Sequence, residues 1–384
     1  MSRGSSGAQA QRHELFVVCI PGLEGLLAAE LERLGLHHPR PRHGGVETTA
    51  TDAQVWSVNL RSRLATRVLV RLERFQAEAF ATLQAGLRRI DWARWLEPGG
   101  AVGLKVASAN STLFHTGAVY ERAEEVLTER GFQLVPLLDA PAQVLHVRLV
   151  NDVAMLSIDA SGEPLHKRGW RLETAKAPLR ETLAAGLLAH SGWDRKRPVV
   201  DPFCGSGTIA IEAALTARRV AAGIDRTFAF QQWPSFDAAA YERMRNGARA
   251  DEVPGKATIV AADRDEGAIA AARSNAERAG VADAIEFRVA SISDLTLPQR
   301  PGWIVTNPPY GNRVGDDDLR NLYDRFATVL HERAAGWQVE LISVHPETGG
   351  ALVDRLRLPI EDRVTTNNGG IPVDLVRTVA LRPA

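Results

Sequence analysis

Three short apolar runs in the second half of the chain each end in a residue that could bind or orient a small molecule. Asp201 follows the run Pro-Val-Val, Asp263 follows Thr-Ile-Val-Ala-Ala, and Asn307 follows Trp-Ile-Val-Thr. Short apolar runs bounded by turns are typical of buried strands in a parallel sheet. Because the carboxyl ends of such strands lie along one edge of the sheet, we expect the three side chains to meet there.

The turn after Asp201 has the residues of a ligand-binding loop. It reads Pro-Phe-Cys-Gly-Ser-Gly-Thr and leads into an apolar helix that begins near Thr208. Gly205 and Gly207 allow positive φ and a close approach of the backbone to a ligand, and the first N–H groups of the helix point at whatever lies over the turn. The pattern predicts a nucleotide-like ligand whose ribose hydroxyls donate to Asp263.

The third motif, Asn-Pro-Pro-Tyr from Asn307 to Tyr310, suits the recognition of a planar amine. Two consecutive prolines remove two backbone donors and stiffen the loop. The Asn307 Oδ1 and the carbonyl of Pro308 could each accept a hydrogen bond from one amine, while Tyr310 could stack on a base.

In this order, the Asp-Pro-Phe-Cys-Gly-Ser-Gly-Thr and Asn-Pro-Pro-Tyr motifs resemble those of S-adenosylmethionine-dependent amino-methyltransferases. More narrowly, the chain is similar to the large-subunit ribosomal RNA guanine-N2 methyltransferases that carry a THUMP RNA-binding domain. The stretches 166–171, 177–181 and 228–233 support this match, which covers about residue 13 to the end. The resemblance implies an α/β fold, in which a Rossmann-like seven-stranded methyltransferase domain follows an α+β ferredoxin-like/THUMP region.

The resemblance also implies roles for individual residues. The catalytic set would be Asn307, Pro308 and Tyr310, and the contacts to S-adenosylmethionine would be Asp201, Phe203, Cys204, Gly205, Gly207, Thr208, Asp263, Arg264, Ser291, Asp294 and Asn307. We expect Cys204 to be a small packing residue and Asp201 to fix the turn and a cofactor amine. The family usually has a carboxylate where this chain has Ser291, so the adenine contact stays open between Ser291, the adjacent backbone and Asp294.

The sequence patterns and this resemblance together predict five segments. They are a flexible tail (1–12), a ferredoxin-like part (13–60), a THUMP-like RNA-binding domain (61–160), a linker (161–177) and a Rossmann-like domain (178–384). An insertion at 219–256 separates the first catalytic helix from the second strand. Its aromatic residues could stack on bases, but we favour packing onto the core.

RNA contacts are expected from local groups, because 46 basic and 46 acidic residues give the chain no net charge. The candidates are Arg168, Arg171 and Lys176 in the linker and His115 before a helix. Burial of Trp170 with solvated charges, and a capping or packing role for His115, are the structural alternatives. We interpret the arginines of residues 58–74 as a solvated face rather than an RNA contact.

The composition narrows the class of protein. No apolar run is long enough to span a bilayer, and the polar first residues are not a signal peptide. Two cysteines give neither a disulfide framework nor metal-ligand spacing, so we expect a cytoplasmic protein without a metal.

The most favoured function is methyl transfer to the N2 amine of a guanosine in 23S ribosomal RNA, with the target base flipped into the Asn-Pro-Pro-Tyr pocket. The alternatives are a tRNA guanine-N2 enzyme, a methyltransferase that acts on DNA adenine or protein glutamine, and a non-catalytic RNA-binding assembly factor.

Overall fold

The computed structural model describes residues 11–139, 143–172, 179–310, 316–345 and 352–382. Lys176, one of the predicted RNA contacts, lies outside these residues. No helix within them is long and apolar enough to cross a membrane.

The N-terminal half forms a mixed eight-stranded sheet with the order β2-β3-β1-β4-β8-β7-β5-β6. Neighbouring strands are antiparallel except that β5 pairs in parallel with β6 and β7. The strands are β1 (Arg12–Val18), β2 (His37–Arg42), β3 (Gly45–Thr51), β4 (Arg67–Gln76), β5 (Ala101–Ala109), β6 (Gln133–Leu134), β7 (Val144–Val150) and β8 (Val153–Asp159), with helices α1 (Glu24–Arg33), α2 (Asp52–Arg61), α3 (Phe80–Arg89) and α4 (Thr116–Glu129).

Alternation along the strands gives this sheet one buried face. Leu15 and Val17 of β1, and Val68 and Val70 of β4, are buried in the core beneath the helices. Side chains at the intervening positions point to the opposite face, because successive residues of a strand alternate.

The C-terminal half contains the expected seven-stranded sheet, with the order β11-β10-β9-β12-β13-β15-β14. Strands β9 to β13 are parallel, and β15 runs antiparallel to both β13 and β14. The strands are β9 (Val199–Asp201), β10 (Ile259–Asp263), β11 (Ile285–Val289), β12 (Trp303–Thr306), β13 (Gln338–Val344), β14 (Ile360–Asn368) and β15 (Ile371–Thr378), with helices α5 (Glu181–His190), α6 (Thr208–Ala217), α7 (Ala238–Ala250), α8 (Glu266–Arg278), α9 (Asp316–Arg333) and α10 (Leu352–Arg355).

Both faces of this second sheet are buried. Val199 and Val305 belong to one apolar core, and Val200 and Ile304 belong to another on the opposite face. Strand β9 has β10 on one side and β12 on the other, so the strand order reverses beside β9. In open α/β sheets ligands bind at such a point, outside the carboxyl ends of the strands.

The insertion packs against the N-terminal half rather than onto the core of the second sheet. Phe230 stacks on Trp56 of α2 with ring centroids 6.1 Å apart, and it also stacks on Phe228 at 5.3 Å. The Trp233 Nε1 donates to the Oε1 of Gln143 at 3.0 Å. The expected packing role is therefore correct, but the partner is the core of the first sheet.

Two of the predicted RNA contacts lie inside the protein. Arg168 is buried, and its guanidinium donates to Glu212 of α6 and to the carbonyls of Leu165 and Arg63. The side chain of Arg171 is 13% exposed and pairs with Glu181 at 3.0 Å. Because interior partners hold both guanidinium groups, the expectation that they contact RNA gives way to a structural role.

Candidate functional site

The described residues at the carboxyl edge of the second sheet surround a cleft of about 1460 Å³. Asp201, Asp263 and Asn307 come together here, as the order of the motifs predicts, with Gly205 and Tyr310 also in the wall. The other predicted residues that line it are Phe203, Cys204, Thr208, Arg264, Ser291 and Pro308. Gly207 lies behind this surface at the start of α6, and Asp294 lies outside the lining.

Asp201 ends β9 with a carboxylate that is 1% exposed. Its Oδ1 accepts a hydrogen bond from Thr306 at 2.6 Å and another from the backbone N–H of Phe203 at 3.2 Å. Burial raises the pKa of Asp201 to about 7, against the lowering effect of these two donors, and the charge of Asp263 adds to the rise. This carboxyl group therefore fixes the turn and changes its charge near neutral pH.

Asp263 ends the adjacent strand β10, and both of its carboxylate oxygens meet backbone donors. Its Oδ2 accepts from the N–H of Gly205 at 3.0 Å, and its Oδ1 accepts from the N–H of Asp265 at 3.0 Å. Each carboxylate oxygen can accept further hydrogen bonds. The side chain is thereby held rigidly while it can still bind hydroxyl groups in the cleft.

The glycine turn has the conformation that its sequence predicts. Gly205 has φ of 51° and Gly207 has φ of 84°. A Cβ at Gly207 would lie 2.9 Å from the Cβ of Ala272 on α8, so only glycine fits between α6 and α8. Burial raises the pKa of the Cys204 thiol well above its ordinary value, which agrees with a packing residue and not with a thiolate nucleophile.

Ser291 and Asp294 form a local pair after β11. The Oγ of Ser291 donates to the Oδ2 of Asp294 at 2.6 Å. Ser291 lines the cleft, whereas the exposed Asp294 orients that hydroxyl from behind. Of the two side chains left open by the sequence, Ser291 is therefore placed to reach a ligand directly.

Asn307 has an amide oxygen that is buried and has no hydrogen-bond partner among the described residues. A buried polar atom left without a partner is unfavourable by about 1–3 kcal/mol, and most such atoms in native proteins are paired. Strand β12 and the two prolines that follow it hold the amide at the wall of the cleft. The oxygen thus has the position and the vacant lone pairs of an acceptor for a ligand N–H.

Tyr310 is anchored by a residue that the sequence did not single out. The Nδ2 of Asn368 donates to the phenol oxygen of Tyr310 at 2.6 Å. Asn368 lies where β14 turns into β15, nearly 60 residues beyond Tyr310, and it also lines the cleft. An Asn-Asn-Gly-Gly turn signals a hairpin, but nothing in the local sequence points to this contact.

The remaining candidates lie elsewhere. His115 is exposed, makes no capping hydrogen bond to α4 and has its ring 3.9 Å from that of Phe114. The capping role is therefore not seen, whereas a packing contact is present, although it is made with the exposed ring of Phe114. Arg180, the residue before α5, is exposed and lines a second groove. The described residues contain no group of three or more His, Cys, Asp or Glu side chains that could hold a metal ion.

Two family models match this chain. The model described as "RMKL-like, methyltransferase domain" matches residues 168–371, which is more than half of the chain. The model described as "RlmL ferredoxin-like domain" matches residues 14–69, at the start of the first sheet.

Individual relatives agree with these matches. A Synechocystis sp. protein that is named as a proposed RNA methyltransferase is 31% identical over 97% of this chain and 98% of its own length. The ribosomal RNA large subunit methyltransferase K/L of Methylococcus capsulatus is 36% identical over 86% of this chain and 47% of its own length. The chain thus spans about half the length of the K/L relatives it matches.

A solved structure matches over nearly the whole chain. The crystal structure of SMU.472, described as a proposed methyltransferase and complexed with S-adenosylhomocysteine (SAH), superposes with a TM-score of 0.88. The alignment has 26% identity and covers 98% of this chain and 100% of the other. The chain therefore belongs to the RMKL-like methyltransferase family and carries the family's catalytic domain behind an RlmL-type ferredoxin-like domain.

Proposed function

We propose that this protein transfers a methyl group from S-adenosylmethionine to the exocyclic N2 amine of a guanosine in large-subunit ribosomal RNA. The single observation that most strongly supports this proposal is the buried, unpartnered Oδ1 of Asn307 at the wall of the cleft. An amine substrate would supply the missing N–H donor.

The residues around the cleft suit a sulfonium nucleoside. The Asp263 carboxylate can accept from ribose hydroxyls, Ser291 can contact the adenine, and Asp201 can accept from the ammonium group of the methionine part. A volume of about 1460 Å³ exceeds the usual size of a site for one small molecule and leaves room for a flipped base. When bound, S-adenosylmethionine supplies a methyl group activated for transfer.

The chain's own residues then orient the nucleophile. The Asn307 Oδ1 and the Pro308 carbonyl each accept one N–H of the guanine amine, so its lone pair points into the cleft. Both acceptors also stabilise the positive charge that develops on the nitrogen as the new N–C bond forms. Tyr310, held by Asn368, stacks on the base. The methylated ammonium is acidic and loses its proton to water without a strong general base.

The K/L name carried by several relatives supports ribosomal RNA as the substrate class. Because this chain spans only half of those proteins, the nucleotide and the N2 position rest on the site and on the family resemblance. A base inside a helix cannot reach the cleft, so the target guanosine must be unpaired or flipped out.

The test is mass spectrometry of nucleosides from separated large-subunit ribosomal RNA and tRNA, isolated from cells with the gene deleted and restored. We expect N2-methylguanosine to fall in the large ribosomal RNA of the deletion strain and to return on restoration. Restoration with Asn307→Ala should not recover it, whereas Asn321→Ala, which changes an exposed amide in the same cleft, should.

Other outcomes would replace the proposal. A loss confined to tRNA would favour the tRNA guanine-N2 enzyme. If the RNA pools were unchanged and methylated adenine in DNA, or methylated glutamine in protein, were lost, the substrate would be DNA or protein rather than RNA. Failure of the purified protein to bind SAH would favour a non-catalytic assembly factor.

A further inference from the structure

A second groove lies between the uncovered face of the N-terminal sheet and the catalytic domain. Its volume is about 1030 Å³. Six basic side chains line it, namely Arg42, Arg67, Arg71, Lys105, Arg148 and Arg180, and we refer to these residues as the basic groove. Glu47 is its one acidic lining residue within the described part of the chain.

The strand register explains why these charges share a face. Arg71 of β4 lies opposite Ser157 of β8, Ser157 lies opposite His146 of β7, and His146 lies opposite Lys105 of β5. All four line the groove. Four adjacent strands span roughly 14 Å at the usual spacing, so this row crosses much of the sheet. Arg148 lies two residues beyond His146 and therefore points to the same side.

Half of the basic groove has no acidic partner. Arg42 and Arg71 each pair with Glu47 at 3.1 Å, and Arg67 pairs with Asp159. For Lys105, Arg148 and Arg180, no ion pair is found among the described residues, and all three are exposed. The face therefore carries a local excess of positive charge, although the chain as a whole has no net charge.

The positive charges of the groove contribute to lowering the pKa of two histidines that line it. Burial, followed by the charges of Arg67 and Lys105, lowers the pKa of His146 to about 3. Burial, followed by Arg180 and three further cations, lowers the pKa of His166 to about 4. Both imidazoles are thus neutral at physiological pH, and the buried Nε2 of His146 has no partner among the described residues.

The basic groove and the catalytic cleft share part of their walls. Asn368 and Gly369, at the turn between β14 and β15, line both spaces. Asn368 is also the residue that holds the phenol of Tyr310. A polyanion lying along the sheet face would therefore reach the cleft at the residue that positions the stacking ring.

We propose that the basic groove holds the ribose–phosphate backbone of the RNA strand that delivers its target base to the catalytic cleft. This inference rests on the proposed function and adds a surface to it. The surface is the open sheet face, not the linker arginines that the sequence suggested. Lysine and arginine side chains neutralise phosphates without reading the sequence of the strand, so a row of exposed cations suits that backbone.

The test compares wild-type protein with Lys105→Ala/Arg148→Ala, which removes two exposed and unpaired charges. Binding to an unmodified transcript of large-subunit ribosomal RNA is measured from 50 to 200 mM salt. We expect the double variant to bind about tenfold more weakly at low salt. Its slope of log K against log salt should be shallower by about 1.4, since each lost phosphate contact on a single strand changes it by about 0.7.

The matched control is Arg243→Ala/Lys256→Ala, which removes two exposed charges that line neither space. It should bind the transcript as the wild type does, and both variants should keep the wild-type affinity for SAH. An RNA affinity and salt slope for Lys105→Ala/Arg148→Ala equal to those of the wild type would overturn the proposal.

The two proposals fail separately. If the wild type methylates ribosomal RNA while the groove variant keeps the same KM and RNA affinity, the groove is wrong and the function stands. If the wild type methylates no RNA but its RNA binding depends on Lys105 and Arg148, the function is wrong, and the basic groove is still a surface that binds RNA.

Discussion

The two sheets of this protein present their reactive groups in different ways. The seven-stranded sheet is buried on both faces, and Asp201, Asp263 and Asn307 meet at the carboxyl ends of its strands. The eight-stranded sheet is buried on one face and places Arg71, Lys105 and Arg148 across the other. An edge brings a few groups to one point, as chemistry on one atom requires, whereas a face spreads charge over a length that suits a polymer.

The largest effect is expected at the joint between the two regions. Glu212 of α6 is fully buried and pairs with Arg63 at 3.1 Å and Arg168 at 3.3 Å. Glu212→Gln would leave two largely buried guanidinium groups without their counter-charge, so the free energy of unfolding should fall by about 3–5 kcal/mol. Urea denaturation measures this change.

The control for this prediction is Glu242→Gln, which breaks an exposed pair with Arg245 and should change stability by less than about 0.5 kcal/mol. If both variants were equally stable, the two regions would not depend on this joint, and the sheets could be treated as separate units.

The next largest effect is expected at Asn307, on the carboxyl edge of the seven-stranded sheet. Asn307→Ala removes a preorganised acceptor and should lower single-turnover methyl transfer by about 10²–10³-fold, the usual loss for one such group. SAH affinity, measured by calorimetry, should change much less. If the Asn307→Ala variant transferred methyl groups at a rate within threefold of the wild type, the amide of Asn307 would not be the group that orients the amine.

Stability and SAH affinity should both depend on pH through Asp201, at the carboxyl edge of the seven-stranded sheet. Because burial raises the pKa of Asp201 to about 7, the folded protein holds a proton between about pH 4 and 7 that the unfolded chain releases. This group therefore lowers the free energy of unfolding as the pH rises through that window, with no further change above it. The ionised carboxylate is the form that binds an ammonium group, so SAH affinity should rise toward pH 7 by up to about tenfold per unit and then level off.

The Asp201→Asn variant keeps an acceptor for Thr306 and should remove this pH dependence. Asp265→Asn, which changes an exposed carboxylate at the start of α8, should retain it. A wild-type SAH affinity independent of pH from 5 to 8 would contradict the assignment of Asp201 to the cofactor amine.

The smallest effect is expected where the edge and the face meet. Asn368→Ala removes the hydrogen bond to Tyr310, and one such bond contributes about 0.5–1.5 kcal/mol. We expect kcat to fall about 2- to 10-fold with SAH affinity unchanged. Asn367→Ala, at the adjacent position in the same turn, is the comparison, and equal effects of the two variants would point to the turn rather than to this contact.

Much of the catalytic half follows from its sequence, because its signals are local. The apolar runs before Asp201, Asp263 and Asn307 are parallel strands of one sheet, so the order of the motifs places their ends together. The roles of these residues stay predictions, whereas the seven-stranded sheet is confirmed. The hairpin of β7 and β8 depends on a signal of the same local kind, the Asn-Asp turn at residues 151–152.

Contacts between distant segments could not be read in this way. From the sequence, Arg168 and Arg171 resemble surface charges in a polar linker. In the structure their side chains are largely removed from solvent and pair with Glu212 and Glu181. The sequence predicts a solvated face for the arginines of β4, because no pattern within one strand reveals the neighbouring strands that complete a groove. The link from Asn368 to Tyr310 depends on the return of the last hairpin to the sheet edge.

The packing of the insertion against Trp56 has a consequence for the order in which the protein matures. Phe230, Trp233 and Tyr241 belong to the same core as the first sheet, yet Tyr241 is made roughly 80 residues after β8 ends at Asp159. At ordinary translation rates this is a delay of about 4–16 s. A nascent chain that has completed its first sheet still has Trp56 uncovered, so the N-terminal half finishes folding only after the first part of the catalytic half, through Tyr241, has been made.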